Sequence, residues 1–285
     1  MKNTHDGFWV LTRTHRGGAI AGAIGILLVG AAVQSQAQEI SIPNSSATFA
    51  SANGALGNWT LGGSQQMDQE SFYYSVGSGD LYSIGSISAG TTPSETSSGI
   101  TEKYANSTLG LTTAFQLGPV GSGGANLSTT ISLQNLSGSS QTFHFFQLSY
   151  FDLGGTLSGQ NVQFLGTTVP YQVIQTGNGE TLTGTLNALG GGQMALVEEI
   201  AGIYDGSNFG LQIGSPAPAF SDSPLSASGD VDFAYEISAT LGANSSLTIS
   251  EFQAVPEPSP VALILACLAG GLFVPWLRVP AFSKK

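Results

Sequence analysis

Between Val231 and Leu241 the chain alternates without a break: Val231, Phe233, Tyr235, Ile237, Ala239 and Leu241 fall on one side, and Asp232, Glu236, Ser238 and Thr240 on the other. A period of two is the pattern of a strand with one buried face, and a helix cannot satisfy it. The period recurs at Phe72, Tyr74 and Val76, from Leu109 to Leu117, and from Leu127 to Leu133. Phe143 to Leu153 is apolar on both sides, which predicts a central strand covered on two faces. Shorter strands are expected over Val162–Leu165, Val169–Ile174, Thr181–Leu186, Gln193–Ile200 and Leu247–Phe252. Ser71–Val76 and Leu81–Ile87 read as a hairpin. The segments 90–99 and 213–229, which carry prolines, read as loops. Ten to thirteen short strands with Gly-rich turns and no convincing soluble helix predict an all-β fold. The expected form is an antiparallel β-sandwich, jelly-roll-like in outline.

Charge narrows the function classes. Charged residues are 9% of the chain, against about 25% in an ordinary globular domain. Lys103 is the only Lys or Arg between residues 37 and 256, whereas sixteen of the eighteen acids lie between Glu39 and Glu251. Such a body repels polyanions, so nucleic acid is not an expected partner. The single cysteine, Cys267, leaves neither an internal disulfide nor a Cys-based zinc site. No cofactor or metal is expected.

Both ends look like targeting segments. Lys2, Arg13 and Arg16 precede an apolar stretch from Ala19 to Val33 and the small-x-small pattern Ser35-Gln36-Ala37. This order reads as a secretory signal peptide over residues 1–37, cleaved after Ala37 by signal peptidase once the Sec machinery has engaged it. A body is then expected over 38–254. At the other end, Val255, Pro256, Glu257, Pro258 and Ser259 precede an apolar run from Val261 to Leu277, and Arg278, Lys284 and Lys285 form a basic end. Residues 261–277 would make a helix about 25 Å long, the lower limit for a single span. The basic end is expected to stay cytoplasmic, with the body facing outward.

This tail, residues 255–285, resembles the sorting tail of PEP-CTERM proteins of Gram-negative bacteria, a tail also known as the ice-binding protein C-terminal domain. The resemblance implies export, transient anchoring in the inner membrane, and processing by an exosortase that recognises Val255 to Ser259. It also implies a final place at the cell surface or in the extracellular matrix, alongside exopolysaccharide.

Within the body, the catalytic vocabulary is thin. His144 lies in the most apolar strand, where a neutral core histidine is favoured over a general base. No G-x-S-x-G elbow is present. Asp230 and Asp232, and Glu198 and Glu199, are the carboxylates that glycosidase chemistry would require, although a solvated strand face explains them as well. Thr181, Thr183 and Thr185 line one face of a short strand. Trp59, Tyr73, Tyr82 and Tyr171 are candidate platforms for sugar rings. Six N-x-S/T sequons begin at Asn44, Asn58, Asn106, Asn126, Asn135 and Asn244. Together these features predict a non-enzymatic surface or matrix protein, with a carbohydrate-binding module as the alternative and a carboxylate glycosidase behind it.

Overall fold

In the computed structural model the described residues are 37–50, 54–88, 90–121, 123–166, 170–190, 193–204 and 208–256. Their strands are β1 (Gln38–Ile42), β2 (Ser45–Ala50), β3 (Ala55–Leu61), β4 (Ser64–Val76), β5 (Tyr82–Ser83), β6 (Thr91–Glu95), β7 (Gly99–Ala105), β8 (Leu109–Val120) and β9 (Gly124–Asn135). They continue as β10 (Gln141–Phe151), β11 (Gln160–Phe164), β12 (Tyr171–Gly177), β13 (Glu180–Gly190), β14 (Gln193–Met194), β15 (Leu196–Ile203), β16 (Ser226–Gly229), β17 (Val231–Leu241) and β18 (Ser246–Val255). Only short 3-10 turns accompany them, so the described chain is all-β. No described helix is long and apolar enough to cross a membrane. Residues 1–36 and 257–285, which carry both expected targeting helices, lie outside the described residues.

All strand pairs are antiparallel, in two sheets. The first has eight strands in the order β1-β2-β3-β4-β10-β17-β15, with β5 added to β4. The second has ten, β16-β11-β12-β13-β18-β9-β8-β7-β6, with β14 added to β13. Alternate side chains of both sheets meet in one apolar core, a sandwich-like arrangement. Phe115 of β8 packs 5.1 Å from Phe49 of β2 and 5.9 Å from Phe72 of β4. Phe151 and Phe233 stack at 5.7 Å, and Phe164 meets Phe233 edge-on. Each such ring contributes about 1.5–3 kcal/mol by leaving water.

The two-sided apolar strand is β10, and it is central as expected, between β4 and β17. Its inner residues Phe143, Phe145 and Phe151 join the main core. Its outer residues Phe146 and Leu148 form a second, smaller core with Leu81, Leu211, Phe220 and Ala234, contributed largely by the chain that crosses the outer face. Turn chemistry sets several registers. Asn178 and Gly179 both have positive φ (49° and 78°) between β12 and β13, the geometry that closes a two-residue hairpin.

Three expectations give way at sheet edges: the expected loop 213–229 ends in the edge strand β16, paired with β11. Segment 90–99 holds the strand β6, whose place at the end of the sheet tolerates Pro93 because no neighbour needs its missing N–H on that side. The strand expected over Leu81–Ile87 is reduced to Tyr82–Ser83 and then a 3-10 turn at Ile84–Ser86. At the C-terminal end β18 runs through Val255, fully buried opposite Ala125, so the sheet reaches one residue beyond the expected body.

The sandwich interior is not wholly apolar. Glu70 on β4 is fully buried, and its Oε1 accepts hydrogen bonds from Gln147 Nε2 (2.8 Å), Ser149 Oγ (3.1 Å) and Gln253 Nε2 (2.8 Å). Gln147 also donates to Glu251 on β18, so the amides of the two sheets bridge a pair of carboxyls between them. Burial raises the proton affinity of Glu70 against these hydrogen bonds. Burial, then repulsion by Glu70, raises that of Glu251 well above the ordinary value.

Candidate functional site

Because strands alternate, the inner set of β10 and β17 is spent on the core, and the outer set carries the chemistry. Outward from β10 point His144, Phe146, Leu148, Tyr150 and the following Asp152; outward from β17 point Asp232, Ala234, Glu236 and Ser238. The chain crossing over Phe146 and Leu148 divides this face into two polar ends.

The first end is a cleft lined by Asp68, Gln69, Ser71, Leu148, Tyr150, Tyr204, Asn208 and Asp232. A register shift between β4 and β10 at Tyr150/Phe151 creates it. The extra residue of this bulge leaves both Asp68 and Gln69 exposed beside Tyr150. Tyr204 stacks on Tyr150 with centroids 4.4 Å apart and planes at 21°. Its backbone N–H donates to Asp230 O at 2.8 Å, and Tyr150 donates its phenol proton to Asp230 Oδ1 at 2.8 Å. The stack is therefore held at both ends by one residue. Burial, then the hydrogen bond to Asp230 and the charges of Asp230, Asp152 and Asp68, raise the Tyr150 phenol above its ordinary value, so it remains a donor. Burial, followed by repulsion from Asp68 and Asp230, also raises the Asp152 carboxyl.

Gly202 explains how Asn208 reaches the cleft. A Cβ there would lie 2.5 Å from the Phe209 ring, so only glycine lets the 3-10 turn fold down on the sheet. Phe209 itself is held at φ 53°, a left-handed conformation that is strained for an aromatic residue. A neighbouring hollow lined by Ala55, Gln69, Ser71, Phe72, Tyr73, Ser83 and Ile213 shares Gln69 and Ser71 with the cleft. The two thus form a groove along the outer face of β4.

The second end holds His144, whose Nδ1 lies 2.8 Å from Glu236 Oε1 and 2.9 Å from Ser238 Oγ. Burial works against ionisation of Glu236, but hydrogen bonds from His144 and from the Phe220 N–H (2.9 Å to Oε2) outweigh it and hold the carboxyl below its ordinary value. Across the strand pair, Glu198 faces Glu236. Burial, then repulsion by Glu236 and Asp222, raises Glu198.

The sequence candidates distribute as follows. Asp232 lines the cleft, and Asp230 meets it through the Tyr150 phenol. His144 is not a core residue; its side chain is 28% exposed and hydrogen-bonded to Glu236 on the outer face. Glu198 and Glu199 do point to opposite faces, but Glu199 is fully buried, and burial followed by repulsion from Asp222 pushes it up to about 8. Trp59 and Tyr171 are core residues; Trp59 donates Nε1–H to Ser45 Oγ at 3.0 Å. Tyr73 lines the adjoining hollow, and Tyr82 is exposed against Tyr74. Thr181 and Thr183 are exposed on β13, with Thr185 half-buried. Ala37 is the first described residue, and Val255 closes β18. Pro256 is the last described residue, so Glu257, Pro258, Ser259, Arg278, Lys284 and Lys285 lie outside the described residues. Tyr204 and Asp68 escaped notice in the sequence: one follows a strand, and the other sits at a bulge that no periodicity marks.

No protein-family model matches the sequence, and no curated protein is significantly similar to it. Solved structures do share the fold. A bacterial glucoamylase complexed with acarbose superposes with a TM-score of 0.50 at 11% identity, over 80% of this chain and 32% of that one. The chain thus spans about a third of that enzyme. A putative aldose 1-epimerase from Escherichia coli K12 gives a TM-score of 0.47 at 11% identity, covering 78% of this chain and 99% of the other. A galactose mutarotase related enzyme from Lactobacillus acidophilus gives 0.49 at 8%, covering 78% and 98%. At such identities the likeness concerns the fold. It nevertheless overturns the expectation of a non-enzymatic body, since the arrangement shared with the glucoamylase is part of an enzyme.

Proposed function

We propose that this chain is an exported carbohydrate-recognising protein that binds sugar at the Tyr150–Tyr204 cleft. The observation that carries the reading is the stacked tyrosine pair ringed by carboxylates at the end of an open groove. A sugar ring offers an apolar C–H face, which suits the exposed side of Tyr204, and hydroxyls, which suit carboxylate acceptors and the Gln69 amide. The fold shared with part of a glucoamylase supports the same direction. Asp152 favours a second reading, carbohydrate processing. Its raised carboxyl has the character of a general acid, within a cluster of further carboxylates.

A glycan array with the full-length chain should show binding to at least one oligosaccharide. Tyr204→Ala should weaken that binding about tenfold or more while leaving the melting temperature nearly unchanged, because Tyr204 is 42% exposed. Binding that survives this substitution would move the site elsewhere, and release of reducing ends by the wild type alone would favour processing.

The proposed protein has a jelly-roll-like body between a signal-peptide helix at residues 1–37 and a membrane helix at 261–277. Its tail is sorted by exosortase at Val255 to Ser259, bringing the body to the surface or matrix. The buried place of Val255 at the end of β18 puts Pro256 directly at the edge of the folded body. Mass spectrometry of protein matured in a host that contains an exosortase should find the chain ending between Val255 and the span. A mature chain that still carries Lys284-Lys285 would defeat the sorting proposal.

A further inference from the structure

We infer that the sandwich interior holds a calcium site, built from Glu70 and Glu251 with the side-chain oxygens of Gln147 and Gln253, and that the ion ties the two sheets together. Glu70 lies on β4 and Gln147 on β10, in the first sheet; Glu251 and Gln253 lie on β18, in the second. Hydrogen bonds already join the four side chains into one buried group. That group has spent its donors and kept its acceptors. Gln147 Nε2 donates to both carboxyls, and Gln253 Nε2 and Ser149 Oγ donate to Glu70. Glu70 Oε2, Glu251 Oε1, Gln147 Oε1 and Gln253 Oε1 meet no donor. Turning either amide over would set its oxygen against a carboxylate.

A separate observation points to the same place. Tyr235 and Thr129 are buried as well, and neither hydroxyl has a partner. Tyr235 stands opposite Gln147 in the pairing of β10 with β17, and its ring belongs to the main core. Thr129 stands opposite Glu251 in the pairing of β9 with β18, on the inward side that it shares with Leu127 and Ile131. The Tyr235 phenol is close enough to feel the charge of Glu251 and of Glu70. Buried oxygens without partners are costly unless something from outside completes them. A water molecule brings two protons, whereas one cation serves every oxygen that faces it.

The ligand set selects the cation. Every free atom is an oxygen, which suits a hard ion, and two carboxylates balance a double charge. Calcium takes carboxylate and amide oxygens together in variable geometry, whereas magnesium prefers to keep several waters. No three His, Cys, Asp or Glu side chains among the described residues are placed to hold a metal ion, so the amide oxygens must complete the set. Calcium and protons compete for the pair. In the chelated chain burial favours protons on both carboxyls, and the ion displaces them. Bound calcium should therefore remove the cost of ionising the pair at alkaline pH.

Calcium chloride titrated calorimetrically into the full-length chain, stripped first with a chelator, tests this at about pH 8. One calcium should bind per chain. At a free concentration about a hundredfold above its Kd it should raise the melting temperature by about 5–10 °C. Glu251→Gln should abolish that rise and weaken binding at least about tenfold. Asp68→Asn and Asp232→Asn, which alter the rival acidic face outside the sandwich, should leave both unchanged. A wild-type chain that takes up no calcium, or gains no thermal stability from it, would overturn the inference whether or not the Glu251 variant folds. Calcium binding that survives Glu251→Gln, or that is lost in Asp68→Asn or Asp232→Asn, would also overturn it, by placing the ion on the outer face.

Discussion

The protein should be most stable near about pH 5 and lose stability steadily as the pH rises toward about 9. Glu70, Glu199 and Glu251 are buried and hold their protons more tightly than an unfolded carboxylate does. The folded state therefore binds more protons than the unfolded state above the ordinary carboxylate value of 4.5. The stabilisation is complete below that value. It is lost as the pH climbs through the folded values, which lie at about 8 for Glu199 and well above the ordinary carboxylate value for Glu251. Each tenfold difference in proton affinity is worth about 1.4 kcal/mol. Each kcal/mol moves the melting temperature of a domain this size by roughly 2–4 °C. Glu236 is held in the opposite direction and contributes only above the ordinary value, which limits stability on the acid side. The growing negative charge of the whole chain acts in the same sense as the buried carboxyls. Glu251→Gln replaces the protonated acid with a neutral isostere. It should raise the melting temperature at about pH 9, leave it nearly unchanged at about pH 5, and so flatten the profile. Calorimetric melting across that range is the measurement; a flat or rising wild-type profile would sink the account.

That interior pair shows what the sequence displays and what it hides. The alternation Phe72, Tyr74, Val76, carried back one step, reaches Glu70; Leu247 and Ile249, carried forward, reach Glu251, Gln253 and Val255. The period thus places two carboxyls inside, but polar identity argues for solvent, and only the facing sheet decides. The strands themselves were legible because most bury one face, and β10 was legible as central because it buries two. Its second cover, the chain through Leu211 and Phe220, is irregular and carries no period. The cleft was half legible. Asp230 and Asp232 stand out beside the cleanest strand, and Tyr150 shares an outward face with His144. Tyr204 and Asp68 join them only through the pairing of β15 with β17 and the bulge between β4 and β10, which depend on contacts between distant parts of the chain. Trp59 shows the converse error: the largest aromatic in reach of a sugar-binding reading is spent in the core.

Asn135→Ala should cost about 3 kcal/mol, or roughly 6–12 °C in melting temperature. Asn135 begins a sequon, yet its side chain is fully buried. Its Nδ2 donates to Ser139 O (2.8 Å), Leu241 O (2.9 Å) and Gly242 O (3.1 Å). Its Oδ1 accepts from Ser137 N (2.9 Å) and Ser137 Oγ (2.6 Å). One amide thus ties the end of β9 to the turn that leads into β10 and to the turn between β17 and β18, joining the two sheets where the chain passes between them. Alanine leaves the buried Leu241 carbonyl without its side-chain donor and removes four further bonds at the margin of the core, and that penalty exceeds the value of an average exposed hydrogen bond. Asn135→Asp should be worse still above the ordinary carboxylate range, because it removes the donors and sets a negative charge against three carbonyl oxygens. The contrast is Asn44→Ala, where the exposed side chain makes a single 3.2 Å bond to Gly123 O and the cost should be smaller by several-fold. Asn44 also has φ 76°, so part of that smaller loss is backbone strain. Thermal melts of the three variants side by side rank these effects. An Asn135→Ala protein that melts with the wild type would show that the two sheets are held at this end by their apolar faces alone.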